Sequence, residues 1–164
     1  MSLLSGILRN LTSAAIVLSA AGIAPASAAE LPAGARAGVV KVLNDSAAAF
    51  ERGDLRAASR TWSHSEALTV FEGGHVNRGW TDYRDNHLAP EMKELRSVRY
   101  RLSDVVPHVA GDTAWATFRY TISGSEIKGR VFSGGGIGTA VLQRESGSWR
   151  IVHWHSTSTP KRAR

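Results

Sequence analysis

The six histidines are the residues of this sequence with the clearest chemical potential, because imidazole ionises near neutral pH. His153 and His155 are two positions apart, and residues so spaced in a β-strand point to one side, with Cα atoms about 6.5 Å apart. Such a pair could share a substrate or a metal ion, and His64, His75 or His87 could complete a three-histidine site. The alternative is that both serve as hydrogen-bonding pocket or interface residues. We predict no metal site from this spacing alone.

Acid–base catalysis is the chemistry that these side chains suit best. We predict His155 or His87 as the general base and Tyr83 as a hydrogen-bond donor to a developing oxyanion. An acidic partner would make the histidine a more effective base. Nearby segments contain four such residues: Glu66, Glu72, Asp82 and Asp85. The two aspartates have an alternative explanation, as helix-start and solvent-face carboxylates.

Further aromatic and histidine side chains are predicted to line a ligand cavity beside those catalytic candidates. They are His75, His153, Phe71, Trp80, Tyr100, Trp115 and Phe118. Aromatic side chains fill protein cores by default, so ordinary packing is the alternative for most of them. Trp80 and Tyr83 are the strongest pocket candidates among the aromatic residues.

Several functional classes are excluded by what the sequence lacks. It has no cysteine, which excludes disulfides, thiol nucleophiles and cysteine metal ligands. The segment 64–66, His-Ser-Glu, therefore lacks the cysteine pair of a zinc deaminase, and no Gly-x-Ser-x-Gly elbow indicates a serine hydrolase. Basic residues are scattered rather than arranged in a stripe with aromatics, which argues against nucleic-acid binding. We predict no cofactor.

The N-terminus has the three parts of a secretory signal. Arg9 precedes an uncharged stretch over residues 11–24, which is too short for a stable membrane-spanning helix, and small residues follow it. We predict a signal peptide over residues 1–28, a domain over residues 29–160 and a basic tail at residues 161–164. An uncleaved anchor is the alternative. Without Arg9 the formal net charge falls from +6 to +5. The predicted location is periplasmic or secreted, with no membrane span after cleavage.

Hydrophobic periodicity predicts helices first and strands afterwards, which is an α+β order. Apolar residues at helical spacing indicate a helix from Pro32 to Arg60 that breaks at Gly53, and a third helix from Thr81 or Asp82 that Pro90 disrupts. Period-two patterns and turn residues predict a hairpin over residues 67–78 and long strands over residues 95–108, 113–123, 130–144 and 149–157. The glycines of residues 134–138 predict a bulge or bend.

The last predicted strand carries the most specific motif. Residues 149–155, Trp-Arg-Ile-Val-His-Trp-His, resemble the final strand of the nuclear transport factor 2-like superfamily. They are similar above all to SnoaL-like proteins and to the association domain of calcium/calmodulin-dependent protein kinase II. The preceding hairpin, residues 105–122, is also similar. The resemblance implies a cone-shaped roll, in which a strongly bent antiparallel sheet wraps around N-terminal helices and encloses a cavity. It also implies a homodimer or larger homo-oligomer formed through the outer face of the sheet.

The superfamily includes isomerases, cyclases, dehydratases and non-enzymatic modules, so the fold does not decide the function. We expect an exported domain that binds a small, largely apolar organic ligand in its cone, with cofactor-free acid–base catalysis left open. The alternative is a non-catalytic homo-oligomerisation domain, and the third hypothesis is a histidine-based metal-dependent enzyme. Ala140 and Ser156 stand where the resemblance to the kinase association domain would place pocket arginines, so its mode of carboxylate binding is not expected here.

Overall fold

Residues 33–159 are described by a computed structural model, and they form helices packed on a six-stranded sheet. The predicted signal peptide (1–28) and basic tail (161–164) lie outside the described residues. The helices are α1 (Ala33–Glu51), α2 (Leu55–Ser59), α3 (Gly79–Tyr83) and α4 (Ala89–Glu94), with a π-helical turn (Arg84–Leu88) joining the last two. The strands are β1 (Thr69–Glu72), β2 (His75–Arg78), β3 (Leu95–Ala110), β4 (Thr113–Glu126), β5 (Val131–Glu145) and β6 (Ser148–Ser158). Within this part of the chain, no helix is long and apolar enough to cross a membrane.

The six strands form one bent sheet in the order β2-β1-β6-β5-β4-β3, which does not close into a barrel. The predicted α+β class is confirmed. The predicted antiparallel arrangement holds for every neighbouring pair except β1 and β6, which run parallel with Thr69 opposite His153. Parallel neighbours need a long connection, and the helices and strands between β1 and β6 provide one.

Helix α1 covers the concave inner face of the sheet. Its predicted apolar face is confirmed, because Val39, Leu43 and Ala47 are buried against the strands. The predicted break after α1 is confirmed as well. Gly53 has a positive φ of 62°, and the side chain of Asp54 accepts a hydrogen bond from the backbone N–H of Ala57 at 2.9 Å, which caps α2.

The third helical segment differs from its prediction at both ends. It begins at Gly79 rather than at Thr81 or Asp82, and it does not stop at Pro90. The chain passes instead from α3 through the π turn into α4 and remains helical to Glu94. The predicted disruption at the proline is therefore wrong.

The π turn explains how the helix accommodates Pro90. In a regular α-helix the proline ring clashes with the carbonyl four residues earlier. The turn just before Pro90 is wider, and the backbone N–H of Ala89 bonds to the carbonyl of Arg84, five residues back. Because the helix continues, His87 and Glu91 lie one turn apart on the same face.

Bulges interrupt the sheet, but not at the predicted place. The glycines of residues 134–138 pair with β4 in unbroken register, so of the predicted bulge or bend, the bulge does not occur there. The register shifts on β3 instead, between residues 96 and 99 and between residues 103 and 106. A third shift lies on β6, where Ile151 and His153 pair with consecutive residues of β5 and Val152 is extra.

The glycines of β5 serve close packing. A Cβ atom at Gly138 would collide with the ring of Phe118, and one at Gly136 would collide with the ring of Tyr120 and with the backbone carbonyl of Thr157. The missing side chains let two aromatic rings of β4 lie across the neighbouring strand. This packing positions Tyr120 in the site described next.

Candidate functional site

A cavity of about 150 Å³ lies between α1, the segment from α3 to α4, and the concave face of the sheet. Six aromatic side chains contribute to its wall: Phe50, Trp62, Tyr83, Tyr100, Tyr120 and Trp154. The carboxylates of Glu72 and Glu91 complete its polar side. A cavity of about this size can hold a benzene molecule. The site therefore suits a small ligand with a largely apolar body.

A larger and more open depression, of about 720 Å³, lies outside α1 next to the turn between β5 and β6. It combines basic side chains such as Lys41, Arg60 and Arg150 with the edge of Trp149. Its one carboxylate, that of Asp45, is bound to Lys41 at 2.6 Å. The smaller cavity is the candidate site, because it alone of the two combines enclosure with carboxylates free to accept a proton.

Aromatic contacts fix the wall of the cavity. The indole N–H of Trp62 donates to Ser46 Oγ at 3.0 Å, and its ring lies 4.7 Å from that of Tyr83 and 5.8 Å from that of Trp154. On the opposite side, the rings of Tyr100 and Tyr120 stack with their centroids 5.6 Å apart. The wall is thus built from packed rings on α3, β3, β4 and β6, together with Trp62 from the loop after α2.

Three tyrosines supply hydrogen-bond donors to this cavity. Among the described residues, the hydroxyls of Tyr83, Tyr100 and Tyr120 make no hydrogen bond to the protein, although the first two side chains are at least nine-tenths buried. Burial raises the pKa of all three phenols, and the negative charge of Glu72 adds to the rise. They therefore stay protonated at neutral pH and can donate to a ligand oxygen.

Glu72 lies at the end of β1, where its carboxylate reaches the cavity and His87. Ser156 Oγ donates to Glu72 Oε1 at 3.0 Å, and Glu72 Oε2 lies 3.9 Å from His87 Nε2. The same nitrogen is 3.8 Å from Glu91 Oε1. The imidazole thus lies between two carboxylates that both face the cavity.

A hydrogen-bonded relay holds the other side of the imidazole. Asp82 accepts hydrogen bonds from Asn86 Nδ2 at 2.8 Å, from the backbone N–H of Arg78 at 2.9 Å and from Asn77 Nδ2 at 3.2 Å. Because Asn77 donates through Nδ2, its Oδ1 must be the acceptor toward His87 Nδ1, which lies 2.8 Å away. His87 therefore carries its proton on Nδ1 and directs Nε2 at the carboxylates.

The ionisation of the two partners follows from these contacts. Burial raises the pKa of Glu72, and repulsion from Glu91 adds to the rise, while His87 and the hydrogen bond from Ser156 oppose it. The nearby carboxylate of Glu91 raises the pKa of His87, burial lowers it, and Glu72 and Asp82 add to the net rise. A carboxyl with a raised pKa beside a readily protonated imidazole is suited to proton transfer near neutral pH.

The structure brings together part of the predicted site. Tyr83 and Tyr100 line the cavity, and His87 lies directly behind its two carboxylates. His75 is exposed, with its ring 5.6 Å from that of His87. Glu72, which the sequence offered only as one of four acidic partners, is the residue that joins this group to the cavity.

His153 and His155 lie on the other face of the sheet, together with Phe71, whose ring is 5.7 Å and 6.2 Å from theirs. The side chains that face the interior from this part of β6 are Trp154 and Ser156, which are both buried. The expectation that the two histidines face the cone is therefore corrected. In the described residues, they cannot join His87 in one three-histidine site.

The extra residue Val152 is the physical cause of this placement. Upstream of it, Trp149 and Ile151 are the buried residues of β6, and downstream of it Trp154 and Ser156 are. A one-residue insertion moves every later side chain to the opposite face. Without the bulge, both histidines would face the interior.

The remaining predicted lining residues lie near the cavity or outside it. Trp80 is buried and stacks on His64, with 5.4 Å between the centroids, and meets Tyr83 edge to face. Phe118 is buried against Trp154, one layer behind the wall. Trp115 is exposed on the outer face of the sheet and stacks on His108.

Four important residues were missed by the sequence analysis: Trp62, Glu91, Tyr120 and Trp154. Tyr120 lies in the strand predicted over residues 113–123, but it was not recognised as a cavity residue. Glu91 was not recognised as a site residue, because the helix was expected to be disrupted at Pro90. Its spacing of four from His87 is the signal that could have revealed it. Within residues 33–159, no group of three or more His, Asp or Glu side chains is arranged to hold a metal ion.

Comparisons with known proteins agree with this geometry. The model of the SnoaL-like domain family matches residues 39–160, so the chain belongs to the SnoaL-like family of the nuclear transport factor 2-like superfamily. The resemblance noted in the sequence is thereby confirmed at the level of family and fold. No curated protein is similar enough to match this chain.

Three solved structures illustrate the shared fold. A nuclear transport factor 2-like superfamily protein from Salmonella enterica serovar Typhimurium is 19% identical, with a TM-score of 0.73, and the match covers 79% of this chain and 94% of that one. A Streptomyces avermitilis protein to which a dehydratase activity has been ascribed is 21% identical, with a TM-score of 0.70 and coverage of 79% and 99%. A Shewanella frigidimarina protein to which a ketosteroid isomerase activity has been ascribed is 25% identical, with a TM-score of 0.60 and coverage of 71% and 92%.

Proposed function

We propose that this SnoaL-like domain binds a small, largely apolar organic molecule in its cavity and catalyses cofactor-free proton transfer on it. The observation that carries the proposal is the position of Glu72. Its carboxylate faces an aromatic cavity, has a raised pKa, and lies 3.9 Å from the imidazole of His87. In this proposal Glu72 takes the role of general base that the sequence suggested for His155 or His87.

The proposed chemistry begins with removal of a proton from a carbon next to a carbonyl group. The carboxylate of Glu72 accepts the proton, and the electrons of the broken C–H bond move to form an enolate. A hydroxyl of Tyr83, Tyr100 or Tyr120 donates a hydrogen bond to the enolate oxygen. Glu72 then returns the proton at a different carbon, which completes an isomerisation, or a β-leaving group departs. His87 is a positioning residue that tunes the pKa of Glu72.

The ascribed activities of two structural neighbours support this reaction class. Dehydration has been ascribed to one of these neighbours and ketosteroid isomerisation to the other. Both reactions proceed by moving a proton at carbon. Neither reaction requires a redox cofactor. The similarity to those proteins supports the class of chemistry and leaves the substrate of this chain to experiment.

The proposal can be tested with acetophenone, which has about the size that the cavity admits and a methyl group next to its carbonyl. Binding is measured by quenching of the intrinsic tryptophan fluorescence, to which Trp62 and Trp154 of the cavity wall contribute. Proton transfer is measured by loss of the methyl signal in ²H₂O by NMR. We expect Glu72→Gln to slow exchange by about 100-fold or more, and Glu94→Gln, an exposed carboxylate on the same helix as Glu91, to leave it unchanged.

A pair of space-filling variants tests the cavity itself. Ala47→Phe places a ring in the cavity, whereas Ala37→Phe adds the same ring to the exposed face of α1. We expect only the first to abolish fluorescence quenching, with circular dichroism reporting that both fold. Exchange that persists in Glu72→Gln contradicts the catalytic role, and quenching that persists in Ala47→Phe contradicts the binding site.

A second candidate function, homo-oligomeric assembly, is favoured by the outer face of the sheet. Large apolar side chains are exposed there: Val106 at 50%, Trp115 at 42% and Ile137 at 47%. His153 and His155 lie on this same face, which fits the alternative role of interface residues. We propose a homodimer formed through this face, and this function is compatible with a ligand in the cavity on the other side.

Export to the periplasm or out of the cell is part of the proposal. It rests on the basic, apolar and small-residue regions of residues 1–28. Expression of the full chain in a bacterium with a periplasm tests it, because the intact mass of the recovered protein should begin at residue 29 or 30. A cytoplasmic product that retains the first 28 residues contradicts it.

A further inference from the structure

The candidate cavity has an unusual charge for a protein with a net charge of +6. The residues that line it include two carboxylates, Glu72 and Glu91, and no lysine, arginine or histidine. The nearest cation is the imidazole of His87, which lies behind the carboxylates, 3.9 Å and 3.8 Å from them. The lining itself therefore carries acidic groups and no basic one.

The wall opposite these carboxylates is aromatic. Trp62, Trp154, Tyr83, Tyr100 and Tyr120 present rings to the same small volume. The face of an aromatic ring carries a partial negative charge and attracts organic cations, tryptophan most strongly. Aromatic walls combined with a nearby carboxylate therefore favour a positively charged guest over a neutral one of the same shape.

Two further features of the lining suit a ligand of this charge. Tyr83 and Tyr100 are at least nine-tenths buried and line the cavity, and a phenol oxygen can accept a hydrogen bond from an ammonium group. Burial raises the pKa of Glu72 and repulsion from Glu91 adds to the rise, so the two carboxylates disfavour one another's charge. A cation on the cavity side of the pair would relieve that repulsion.

We infer that the molecule bound in this cavity is an organic cation, a protonated or quaternary amine attached to a small apolar or aromatic body. The inference rests on the proposed function, since it names the ligand class of the same cavity. The ammonium group lies on the cavity side of Glu72 and Glu91, opposite His87, and the apolar body lies against Trp62 and Trp154.

Three probe ligands of similar shape distinguish the effect of ligand charge on affinity from the effect of ligand size. They are benzylammonium, benzyl alcohol and benzoate, which are cationic, neutral and anionic at pH 7, and each fits a cavity that admits a benzene ring. Affinities for the full-length mature protein are measured by isothermal titration calorimetry. We expect benzylammonium to bind at least tenfold more tightly than benzyl alcohol, and benzoate to bind most weakly.

A matched pair of variants assigns the preference to this site. Glu91→Gln removes one cavity carboxylate at nearly constant shape, and Glu94→Gln removes an exposed carboxylate three residues further along α4. We expect the first variant to weaken benzylammonium about tenfold while leaving benzyl alcohol within twofold. The second should change neither affinity. Glu91 is exposed enough that its substitution leaves the core intact, and thermal unfolding checks this.

The outcomes distinguish failure of the inference from failure of the proposed function. If benzyl alcohol binds as tightly as benzylammonium, and Ala47→Phe abolishes both, the cavity binds ligands but the cationic class is wrong. If Glu94→Gln weakens benzylammonium as much as Glu91→Gln does, the preference arises from general surface charge and the inference is also wrong. If none of the three probes binds, the proposed binding function fails and the inference fails with it.

Discussion

At the scale of single residues, the centre of the site is the imidazole of His87. Asn77 fixes its tautomer through a 2.8 Å hydrogen bond, and Asp82 fixes Asn77 in turn. The free Nε2 is then the only ring nitrogen that can exchange a proton with Glu72 or Glu91. A side chain held in this way changes the charge of its neighbours without having to touch the ligand.

The first prediction concerns the pH dependence of stability. Because the folded pKa of His87 lies above its ordinary value of about 6.5, its protonated form stabilises the native state at pH values below that. This contribution is lost as the pH rises through the folded pKa. We therefore expect His87→Gln to lower the free energy of unfolding more at pH 5.5 than at pH 8.5, as measured by urea denaturation.

His75→Gln is the matched control for this prediction, because His75 is an exposed histidine on the neighbouring strand. The pH dependence of the stability of the wild-type protein would not by itself isolate the contribution of His87. Burial, with a contribution from His155, lowers the pKa of His153, which gives a stability change of the opposite sign in the same pH range. An equal effect of His87→Gln at both pH values would show that the carboxylates do not hold the imidazole in its charged form.

At the scale of elements, the π turn and the bulges decide which residues meet. The π turn lets the helix pass Pro90, so that Glu91 is delivered to the face that carries His87. The bulge at Val152 turns Trp154 and Ser156 toward the interior. The π turn and the bulge each add one residue to the local backbone. Each of them determines which side chains line one side of the cavity.

The second prediction concerns the glycines of β5, which allow the cross-strand packing of Tyr120. A Cβ at Gly136 would meet the carbonyl of Thr157, a backbone atom that cannot move cheaply, whereas a Cβ at Gly134 would meet nothing within 4 Å. We expect Gly136→Ala to lower the free energy of unfolding by about 1–3 kcal/mol. Gly134→Ala on the same strand should stay within about 0.5 kcal/mol.

Urea denaturation of both variants provides the measurement. Acetophenone quenching provides a second readout, since a displaced Tyr120 ring would alter the cavity wall in Gly136→Ala alone. Equal stability of the two variants would mean that β6 can move away from β5 at this point, and that the close approach is not a constraint on the fold.

At the scale of the whole molecule, the sheet has two chemically distinct faces. The concave face and α1 enclose the cavity with its carboxylates and phenols. The convex face exposes Val106, Trp115 and Ile137, and it carries His153 and His155 beside Phe71. A large exposed tryptophan in such a setting is typical of a surface that is covered by a partner.

The third prediction is that the mature protein is a dimer formed through this convex face. Trp115→Glu introduces a charge into this exposed apolar face and should produce a monomer. Val131→Glu introduces the same charge at a more exposed apolar residue at the far end of the β4–β5 hairpin, and should leave the dimer intact. Sedimentation equilibrium at protein concentrations of about 10–100 µM measures both.

A wild-type monomer over that range, or a dimer that survives Trp115→Glu, would contradict the proposed interface. His155→Ala is a useful additional variant, because His155 is exposed on the convex face rather than in the cavity. We expect it to affect the oligomeric state more than ligand binding, in keeping with the interface role that was the alternative for this histidine.

Particular residues show how much of the site could be predicted from sequence. The period-two pattern predicted the strand that carries Tyr120, and helical periodicity predicted the helix α1, whose apolar face is buried. Tyr83, Tyr100 and His87 were selected for their chemistry, and the structure places all three at or beside the cavity. Glu72 was noted as one acidic partner among four, because sequence spacing does not measure which carboxylate reaches the imidazole.

By itself, the sequence determined the family, the α+β class, and the order and approximate bounds of the helices and strands. These depend on local periodicity, turn residues and a short terminal motif, all of which lie along the chain. Only the tertiary structure decided which side of each strand faces the cavity beyond a bulge. The pairing between β5 and β6 determines that Val152 is the extra residue, and this single insertion exchanges His153 and His155 for Trp154 and Ser156. The contact of His87 with Glu72 joins a helix to a strand, so it depends on packing between elements that no local pattern records.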